Sequence, residues 1–184
     1  MLDFPKVEVI NDQIFTDQRG YFIESYNKNF FDRKIGRSVD FVQDNLVFSR
    51  KNVFRGLHFQ SDPYAQSKLV RVLKGKIVDI TLDIRVGSDK FLYWESFVLE
   101  EGIKQSLFVP DGYAHGYCVL SDEAEVIYKV SSSYSKKNEK FISINNKNIK
   151  PNISNYLKNQ FNVDNLVFSK KDQKIKDDLI DLKI

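Results

Sequence analysis

A repeated alternation of apolar and polar residues is the feature that most constrains how this chain can fold. In the segment 76–84, Val78, Ile80, Leu82 and Ile84 fall on one face of an extended strand, and the polar residues between them fall on the other. Similar short segments recur at spacings of about 8–15 residues, at positions 22–26, 53–59, 69–73, 93–99, 106–109, 116–120 and 125–130. Many short strands of this kind predict an antiparallel sandwich or barrel rather than alternating strands and helices.

Helical signals are sparse by comparison. Residues 29–33 predict one short helical turn that ends at Gly36, since glycine commonly terminates helices. The Asn- and Lys-rich segment 145–155 is interpreted as a mobile connection between ordered elements. The expectation for the chain as a whole is therefore an all-β fold with a few short helices.

One of those helices is expected near the C-terminus. Ile175, Leu179 and Leu182 recur at helical spacing with Lys and Asp on the opposite side, which predicts a helical tail over about 170–184 that packs on the barrel. The chain has 184 residues, of which 42% are hydrophobic, so it can bury a substantial core. We expect one domain spanning 1–184.

Charge and cysteine usage exclude several broad classes of protein. The formal net charge is +3, which is too small for a general nucleic-acid binder. The single cysteine, Cys118, excludes an internal disulfide framework and a cysteine-based zinc cluster. The sequence contains no apolar run of membrane-spanning length and does not begin like a signal peptide. We therefore expect a cytoplasmic protein that binds neither membranes nor nucleic acid.

The two histidines stand in informative surroundings. His58 belongs to the segment 55–60, Arg-Gly-Leu-His-Phe-Gln, and His115 follows a Pro-Asp-Gly turn. Strand alternation places Arg55 and His58 on opposite faces unless the strand bends, and Gly56 is where a bend is possible. Taken alone, each histidine also fits a hydrogen-bonded structural residue.

Several catalytic classes lack their characteristic residues. A metal-binding β-barrel of the usual kind has two histidines one residue apart, whereas His58 is followed by Phe59 and Gln60. Cys118 lies in an apolar run typical of an inert buried thiol. The sequence has no Gly-x-Ser-x-Gly elbow, no P-loop and no Gly-x-Gly-x-x-Gly motif. We expect no metal ion and no other cofactor.

Proton transfer beside an anion-binding pocket is the chemistry that remains. Arg55, Lys68 and Arg71 lie on adjacent strand segments, and Arg19 follows a predicted turn. A diphosphate is bound by two or three such cations, and arginine can contact it through two nitrogens. Tyr128 lies on a predicted strand and offers a phenol to the pocket wall. Each of these residues by itself also fits a surface charge or a core tyrosine, so their order and spacing carry the argument.

Eight segments of the sequence, taken in order along the chain, match the motifs of a known family. They are 15–27, 41–45, 53–60, 65–71, 83–88, 110–116, 122–129 and 166–172. As a set they resemble the dTDP-4-dehydrorhamnose 3,5-epimerases, which are non-metal cupin-type jelly-roll proteins acting on a nucleotide-linked 4-keto-6-deoxy sugar. The resemblance covers about residues 7–144 and the segment around Asp172. It implies a cupin-type jelly-roll barrel and an isomerase activity.

The resemblance also implies catalytic roles. His58 would be the general base, with Asp172 holding its imidazole in the required tautomer. Tyr128 would be the acid that returns a proton from the opposite face of the sugar ring. Lys68 would stabilise the oxyanion at O4, with His115 beside it in support.

Binding roles carry over in the same way. Lys68 and His115 would contact the sugar, three further positions would contact the nucleotide or its phosphates, and an N-terminal group would reach the pyrimidine in a partner subunit's site. One aromatic residue would lie near the base. The positions that would contact the nucleotide or its phosphates are Arg55, Gln43 and Asn45. The N-terminal group is Arg19, Phe22 and Glu24, and the aromatic residue near the base is Tyr134. The family exchanges its N-terminal strand across a dimer, so we expect a homodimer.

The activity implied is conversion of dTDP-4-dehydro-6-deoxy-D-glucose to dTDP-4-dehydro-L-rhamnose by epimerisation at C3 and C5, in dTDP-L-rhamnose biosynthesis. The alternatives are an epimerase of one centre acting on a related sugar, a non-catalytic sugar-nucleotide-binding cupin, and a metal-dependent cupin enzyme. Two segments depart from the family pattern. Residues 46–49 replace a His-Ser pair that the family often has, and residues 142–151 lack its usual tryptophans.

Overall fold

Twelve short strands and two helices make up the described part of the chain. The computed structural model describes residues 4–174. The strands are β1 (Glu8–Asn11), β2 (Ile14–Asp17), β3 (Gly20–Ile23), β4 (Gln43–Arg50), β5 (Phe54–Gln60), β6 (Lys68–Lys74), β7 (Lys76–Asp83), β8 (Trp94–Glu100), β9 (Gln105–Val109), β10 (Tyr113–Val119), β11 (Glu123–Val130) and β12 (Glu139–Phe141). The helices are α1 (Lys28–Ile35) and α2 (Ile153–Phe161). The predicted all-β fold with short helices is confirmed.

The strands form two five-stranded antiparallel sheets. One has the order β1-β9-β6-β11-β4, and the other has the order β12-β5-β10-β7-β8. From β4 to β7, and again from β9 to β12, each strand lies in the other sheet from the strand before it. Such repeated crossing makes a sandwich of two sheets, with residues of both sheets facing the space between them.

The alternation in β7 serves two buried faces rather than one buried and one exposed face. Its apolar residues, beginning at Val78, pack in one cluster with Ile153 of α2. Ile77, on the other face of β7, packs in another cluster with Val126 of the opposite sheet. Three polar residues of β7, Asp79, Thr81 and Asp83, are buried as well, and Asp79 is 0% exposed. A central strand of the sandwich therefore presents polar groups to its interior, where they need partners.

Helix α1 begins and ends where its sequence directs. The Asn27 side chain accepts a hydrogen bond from Phe30 N, and Gly36 terminates the helix with a φ of 71°. Phe31 is buried and contacts Phe108 edge-on, at 5.2 Å between ring centroids. The turn predicted over 29–33 is thus confirmed within a helix of two turns.

The segment 145–155 differs from the expectation of a mobile connection. Asn152 caps α2 by accepting a hydrogen bond from Asn155 N. Ile149 is 2% exposed and Ile153 is 0% exposed, so the segment is anchored in the core. Its asparagines are capping and turn residues rather than a sign of mobility, since asparagine favours both positions.

The predicted helix carrying Ile175, Leu179 and Leu182 lies outside the described residues. Within the tail expected over 170–184, the structure describes a single 3₁₀ turn, Asp172–Lys174. None of the helices in the described range is long and apolar enough to cross a membrane.

Strands β2 and β3 form a hairpin that is a sheet of its own. The strand predicted over 22–26 ends at Ile23, because the chain turns there towards α1. The hairpin carries exposed apolar side chains, with Phe15 47%, Tyr21 62% and Phe22 63% exposed. Phe15 and Phe22 lie opposite each other with ring centroids 6.1 Å apart, so one face of the hairpin carries an exposed aromatic pair.

Candidate active site

Two glycines let β5 and β10 approach closely where the histidines lie. A Cβ on Gly56 would lie 2.5 Å from Gly116 Cα, so neither strand has room for a side chain there. Gly56 has a φ of 138°, which favours glycine, and the register between the strands shifts just beyond the pair His115 and His58. The strand is irregular at Gly56, the position where the sequence allowed a bend, which releases Arg55 from strict alternation with His58.

His58 is held by a carboxylate from the far end of the described chain. Its Nε2 lies 3.0 Å from Asp172 Oδ1, and Phe141 packs edge-on against its ring at 4.7 Å between centroids. The Asp172 side chain is 5% exposed. Burial acts to raise the pKa of Asp172, but the hydrogen bond from His58 and the His58 charge outweigh it, so this pKa lies below its usual value. We therefore assign the Nε2 proton to the bond with Asp172, which leaves Nδ1 as the basic nitrogen of His58.

A second histidine and a second carboxylate hold Lys68. Lys68 Nζ lies 3.5 Å from His115 Nδ1, and His115 Nε2 lies 2.8 Å from Asp79 Oδ2. Burial lowers the pKa of His115, and it lowers the pKa of Lys68 to about 8 against the opposing charges of Asp79 and Glu139. A neutral His115 that donates to Asp79 leaves Nδ1 free to accept from Lys68. The lysine is thus a cation held in place at neutral pH.

Tyr128 enters from the opposite sheet. It lies on β11 directly across from Asn45 on β4. Burial raises the pKa of Tyr128, while the charge of Arg55 opposes that rise, so the phenol is protonated at neutral pH. Arg55 Nε donates to Ser49 Oγ at 2.9 Å, which fixes the guanidinium at the β4 side of the site.

These groups surround one cavity of about 350 Å³ between the sheets. Its lining residues are Gln43, Asn45, His58, Phe59, Gln60, Gln66, Lys68, Tyr128, Val130, Tyr134 and Glu139. Six of them are site residues predicted from the sequence. Asp172 and His115 do not line the cavity but contact His58 and Lys68, which do. Arg55 does not line it either, and its charge acts on Tyr128 from beside the lining.

Three polar residues of the lining were missed by the sequence analysis. Strand alternation does place Gln60 on the same face as His58, so a signal for it existed. Gln66 precedes β6, and Glu139 begins a strand of three residues that is too short to show alternation. Tertiary pairing between β12 and β5 brings Glu139 opposite Gln60.

Glu139 organises the rim of the cavity. Tyr134 Oη donates to Glu139 Oε2 at 2.8 Å, and Lys171 forms an ion pair with the same carboxylate. Burial acts to raise the pKa of Glu139, but the Lys171 and Tyr134 hydrogen bonds outweigh it and the pKa lies below its usual value. The Lys171 ammonium also lies 4.2 Å from the centroid of Phe141, the ring that packs on His58.

Four residues considered as binding groups lie away from this cavity. Arg19 and Phe22 are on the β2–β3 hairpin, and Glu24 follows it. The fourth, Arg71, does not fit the role of a phosphate-binding cation, because it is paired with Asp12 outside the cavity. Its position follows from strand alternation, since Arg71 and Lys68 are an odd number of residues apart on β6.

The arrangement is suited to proton transfer. A histidine held by a carboxylate and a protonated tyrosine enter one cavity from opposite sheets, and a buried lysine lies beside them. Within residues 4–174, no group of three or more His, Cys, Asp or Glu side chains is placed to hold a metal ion.

Comparison with known proteins decides the family. The sequence profile of the dTDP-4-dehydrorhamnose 3,5-epimerases matches residues 1–178. The chain belongs to this epimerase family. An epimerase of that name from Shigella flexneri is 46% identical over 147 residues, covering 80% of this chain and 81% of the relative. The predicted family and the isomerase class are confirmed.

Solved structures of the epimerase family share the fold. The epimerase from Bacillus anthracis str. Ames, with TDP and PPi bound, is 35% identical with a TM-score of 0.82, and the match covers 92% of this chain and 93% of that one. The enzyme from Legionella pneumophila, in complex with dTDP-4-keto-L-rhamnose, is 35% identical with a TM-score of 0.76, covering 91% and 85%. The predicted cupin-type fold is confirmed.

The two departures from the epimerase pattern lie away from the cavity wall. On β4, Leu46 is 64% exposed and Phe48 is 50% exposed. Asn45 on the same strand faces the other way and lines the cavity between the sheets. In the segment 142–151, the isoleucines are buried in the cluster that contains Trp94. The indole of Trp94 donates to Pro151 O at 2.9 Å, which ties that segment to the sandwich. These substitutions thus change packing and outer surface.

Proposed function

We propose that this chain converts dTDP-4-dehydro-6-deoxy-D-glucose to dTDP-4-dehydro-L-rhamnose by epimerisation at C3 and C5. The observation that carries the proposal is the entry of His58 and Tyr128 into one cavity from opposite sheets. A base and an acid on opposite sides of a sugar ring remove a proton from one face and return one to the other, which inverts the centre. The C4 ketone makes this possible because it acidifies the hydrogens at C3 and C5.

Each inversion passes through an enolate at O4. His58 Nδ1 takes the proton from C3, the C–H electron pair forms a C3–C4 double bond, and the carbonyl pair moves to O4. Lys68 stabilises that oxyanion, and its bond to His115 positions the ammonium. Tyr128 then protonates C3 from the other face and the carbonyl re-forms. His58 then releases the abstracted proton to solvent, and Tyr128 regains a proton from solvent, before the same cycle runs at C5.

The cavity lining and the neighbouring Arg55 offer groups for the nucleotide and the diphosphate. Arg55 supplies a guanidinium near the phenol, and the amides of Gln43 and Asn45 line the β4 wall. Tyr134 supplies an aromatic face at the rim for the base. Support comes from the Bacillus anthracis relative, which has TDP and PPi bound, and from the Legionella pneumophila relative in complex with dTDP-4-keto-L-rhamnose.

The active form in this proposal is a homodimer. The β2–β3 hairpin projects Phe22 and Arg19 away from the cavity of its own chain, and the Arg19 side chain is 89% exposed. Seating the hairpin on a second copy would bury its aromatic residues and bring Arg19, Phe22 and Glu24 to the pyrimidine end of the partner's cavity. One domain spanning 1–184 would supply the remainder of each site. We place the reaction in the cytoplasm, where nucleotide sugars are made.

The proposal is tested by supplying the purified protein with dTDP-4-dehydro-6-deoxy-D-glucose and trapping the product with a reductase specific for the L-rhamno ketone. NADPH consumption that requires both proteins, together with a dTDP-L-rhamnose product identified by NMR, is the expected result. Binding of the nucleotide sugar without product formation would instead indicate a non-catalytic binding protein. His58→Ala serves as the matched inactive variant.

A further inference from the structure

One arginine joins the two roots of the β2–β3 hairpin. Arg71 Nη1 donates to Asp12 Oδ2 at 2.6 Å, and its Nη2 donates to Asp12 Oδ1 at 2.7 Å. The same Nη2 donates to Ser25 O at 3.2 Å. Asp12 lies just before β2 and Ser25 lies just after β3, so both chain segments that support the hairpin meet at one guanidinium.

The attachment is sheltered from solvent, unlike the other charged contacts of the hairpin. The side chains of Arg71 and Asp12 are 13% and 5% exposed. By contrast, the Arg19–Asp17 pair within the hairpin has side chains that are 89% and 52% exposed. Two parallel charge-assisted bonds in a sheltered place fix orientation as well as distance, which exposed pairs do not.

The strand that carries Arg71 also carries Lys68. Both lie on β6, with Lys68 facing the cavity and Arg71 facing the hairpin roots. A second contact also holds the hairpin against the sandwich, because Lys104 Nζ donates to Tyr21 Oη at 2.8 Å. The frame that positions the cavity lysine thus also sets the angle at which the hairpin leaves the sandwich.

We infer that Arg71 is a positioning residue that holds the β2–β3 hairpin ready for insertion into a second copy of the chain. It acts through Asp12 and the Ser25 carbonyl, and it touches neither the cavity nor its contents. This inference rests on the proposed function in one respect, namely that the hairpin completes the partner's site. A hairpin fixed before association loses less conformational freedom when it docks, so association and substrate binding both become tighter.

Two conservative variants test the inference. Arg71→Lys keeps the charge but cannot make the two-point contact, and Asp12→Asn keeps the size but removes the carboxylate. Lys74→Met is the matched control, because Lys74 lies on the same strand as Arg71 but makes an exposed ion pair with Glu123 of β11, away from the hairpin. For each, we would measure the dimer dissociation constant by sedimentation, KM and kcat by the coupled assay, and amide hydrogen exchange across residues 10–27.

The expected result is a rise of about tenfold in KM and in the dimer dissociation constant for Arg71→Lys and Asp12→Asn. With the dimer saturated, kcat should stay within about twofold of the wild type, since no group that touches the sugar is changed. Amide exchange should accelerate at the hairpin roots, and Lys74→Met should match the wild type in every measurement.

An unchanged KM with unchanged exchange at the hairpin roots would overturn the inference, as would a fall in kcat alone. If either variant does not fold, the double variant Asp12→Leu/Arg71→Leu replaces the ion pair with two apolar side chains and leaves no unpaired buried charge. Failure of the proposed function is distinguishable, because it would appear as an inactive wild type. Hydrogen exchange at the roots would still report whether Arg71 holds them.

Discussion

His58 Nε2 and Asp172 Oδ1 lie 3.0 Å apart although 114 positions separate the two residues in the sequence. The bond fixes which imidazole nitrogen carries a proton, and so fixes which one can accept a proton from substrate. The proposed base therefore depends on a turn that comes long after the barrel strands, and that turn must dock before the pair can form.

Replacing Asp172 by asparagine should lower kcat by about 10²–10⁴-fold, because the imidazole loses the carboxylate that stabilises its protonated form. The affinity for dTDP should change by less than about threefold, since Asp172 does not line the cavity. Steady-state kinetics and calorimetric titration with dTDP measure the two quantities. A variant with wild-type kcat would contradict the role of Asp172.

Replacing Tyr128 by phenylalanine should separate proton removal from inversion. The base remains, so the substrate should still exchange C–H hydrogens with solvent, but protonation from the opposite face loses its acid. Net formation of the L-rhamno ketone should fall by about 10²-fold or more, while exchange at the abstracted position persists. NMR of the recovered sugar follows both. Unchanged product formation would argue against Tyr128 as the acid.

The pH dependence of kcat/KM should reflect Lys68. Burial lowers the pKa of Lys68 to about 8, so the ammonium that stabilises the oxyanion is present below that pH and lost above it. We expect kcat/KM to fall as the pH rises through about 8. In Lys68→Arg the guanidinium stays charged, so whatever activity remains should lack this alkaline decline. An identical decline in that variant would assign it to another group.

Adding a methyl group at Gly116 should damage both stability and the site. A Cβ there would lie 2.6 Å from Arg55 O and 2.9 Å from Gly56 Cα, so the two strands must move apart. We expect Gly116→Ala to destabilise the fold by about 1–3 kcal/mol and to weaken dTDP binding, because Arg55 and His115 flank the contact. Thermal unfolding and dTDP titration would detect the two effects. Wild-type values for both would show that the strands tolerate more separation.

Much of the fold and the site could be predicted from the sequence. Alternation identified β7 because period-two patterning depends only on neighbouring residues. Gly36 indicated the end of α1, and Gly56 indicated where β5 could bend, because glycine readily adopts the positive φ that both positions have. The resemblance singled out His58 and Tyr128 as site residues, and the structure brings both of them to one cavity.

The rest depended on contacts that local patterns do not encode. Glu139 belongs to the cavity only because β12 pairs with β5. Alternation placed Asp79 on the polar face of its strand but gave no partner for it, and its burial against His115 comes from the pairing of β7 with β10. Arg71 resembled a phosphate ligand by its charge, and its tertiary partner Asp12 determines its position instead. In each case a long-range partner overrides the local reading.

Deuterium incorporation tests the central claim most directly. The purified protein would be incubated with dTDP-4-dehydro-6-deoxy-D-glucose in D₂O, beside the His58→Ala variant, and the sugar analysed by mass spectrometry and NMR. We expect one deuteron at C3 and one at C5 in an L-rhamno-configured product, with neither incorporated by His58→Ala although it still binds dTDP. Incorporation at one centre only would contradict double epimerisation, and full exchange by His58→Ala would contradict the assignment of the base.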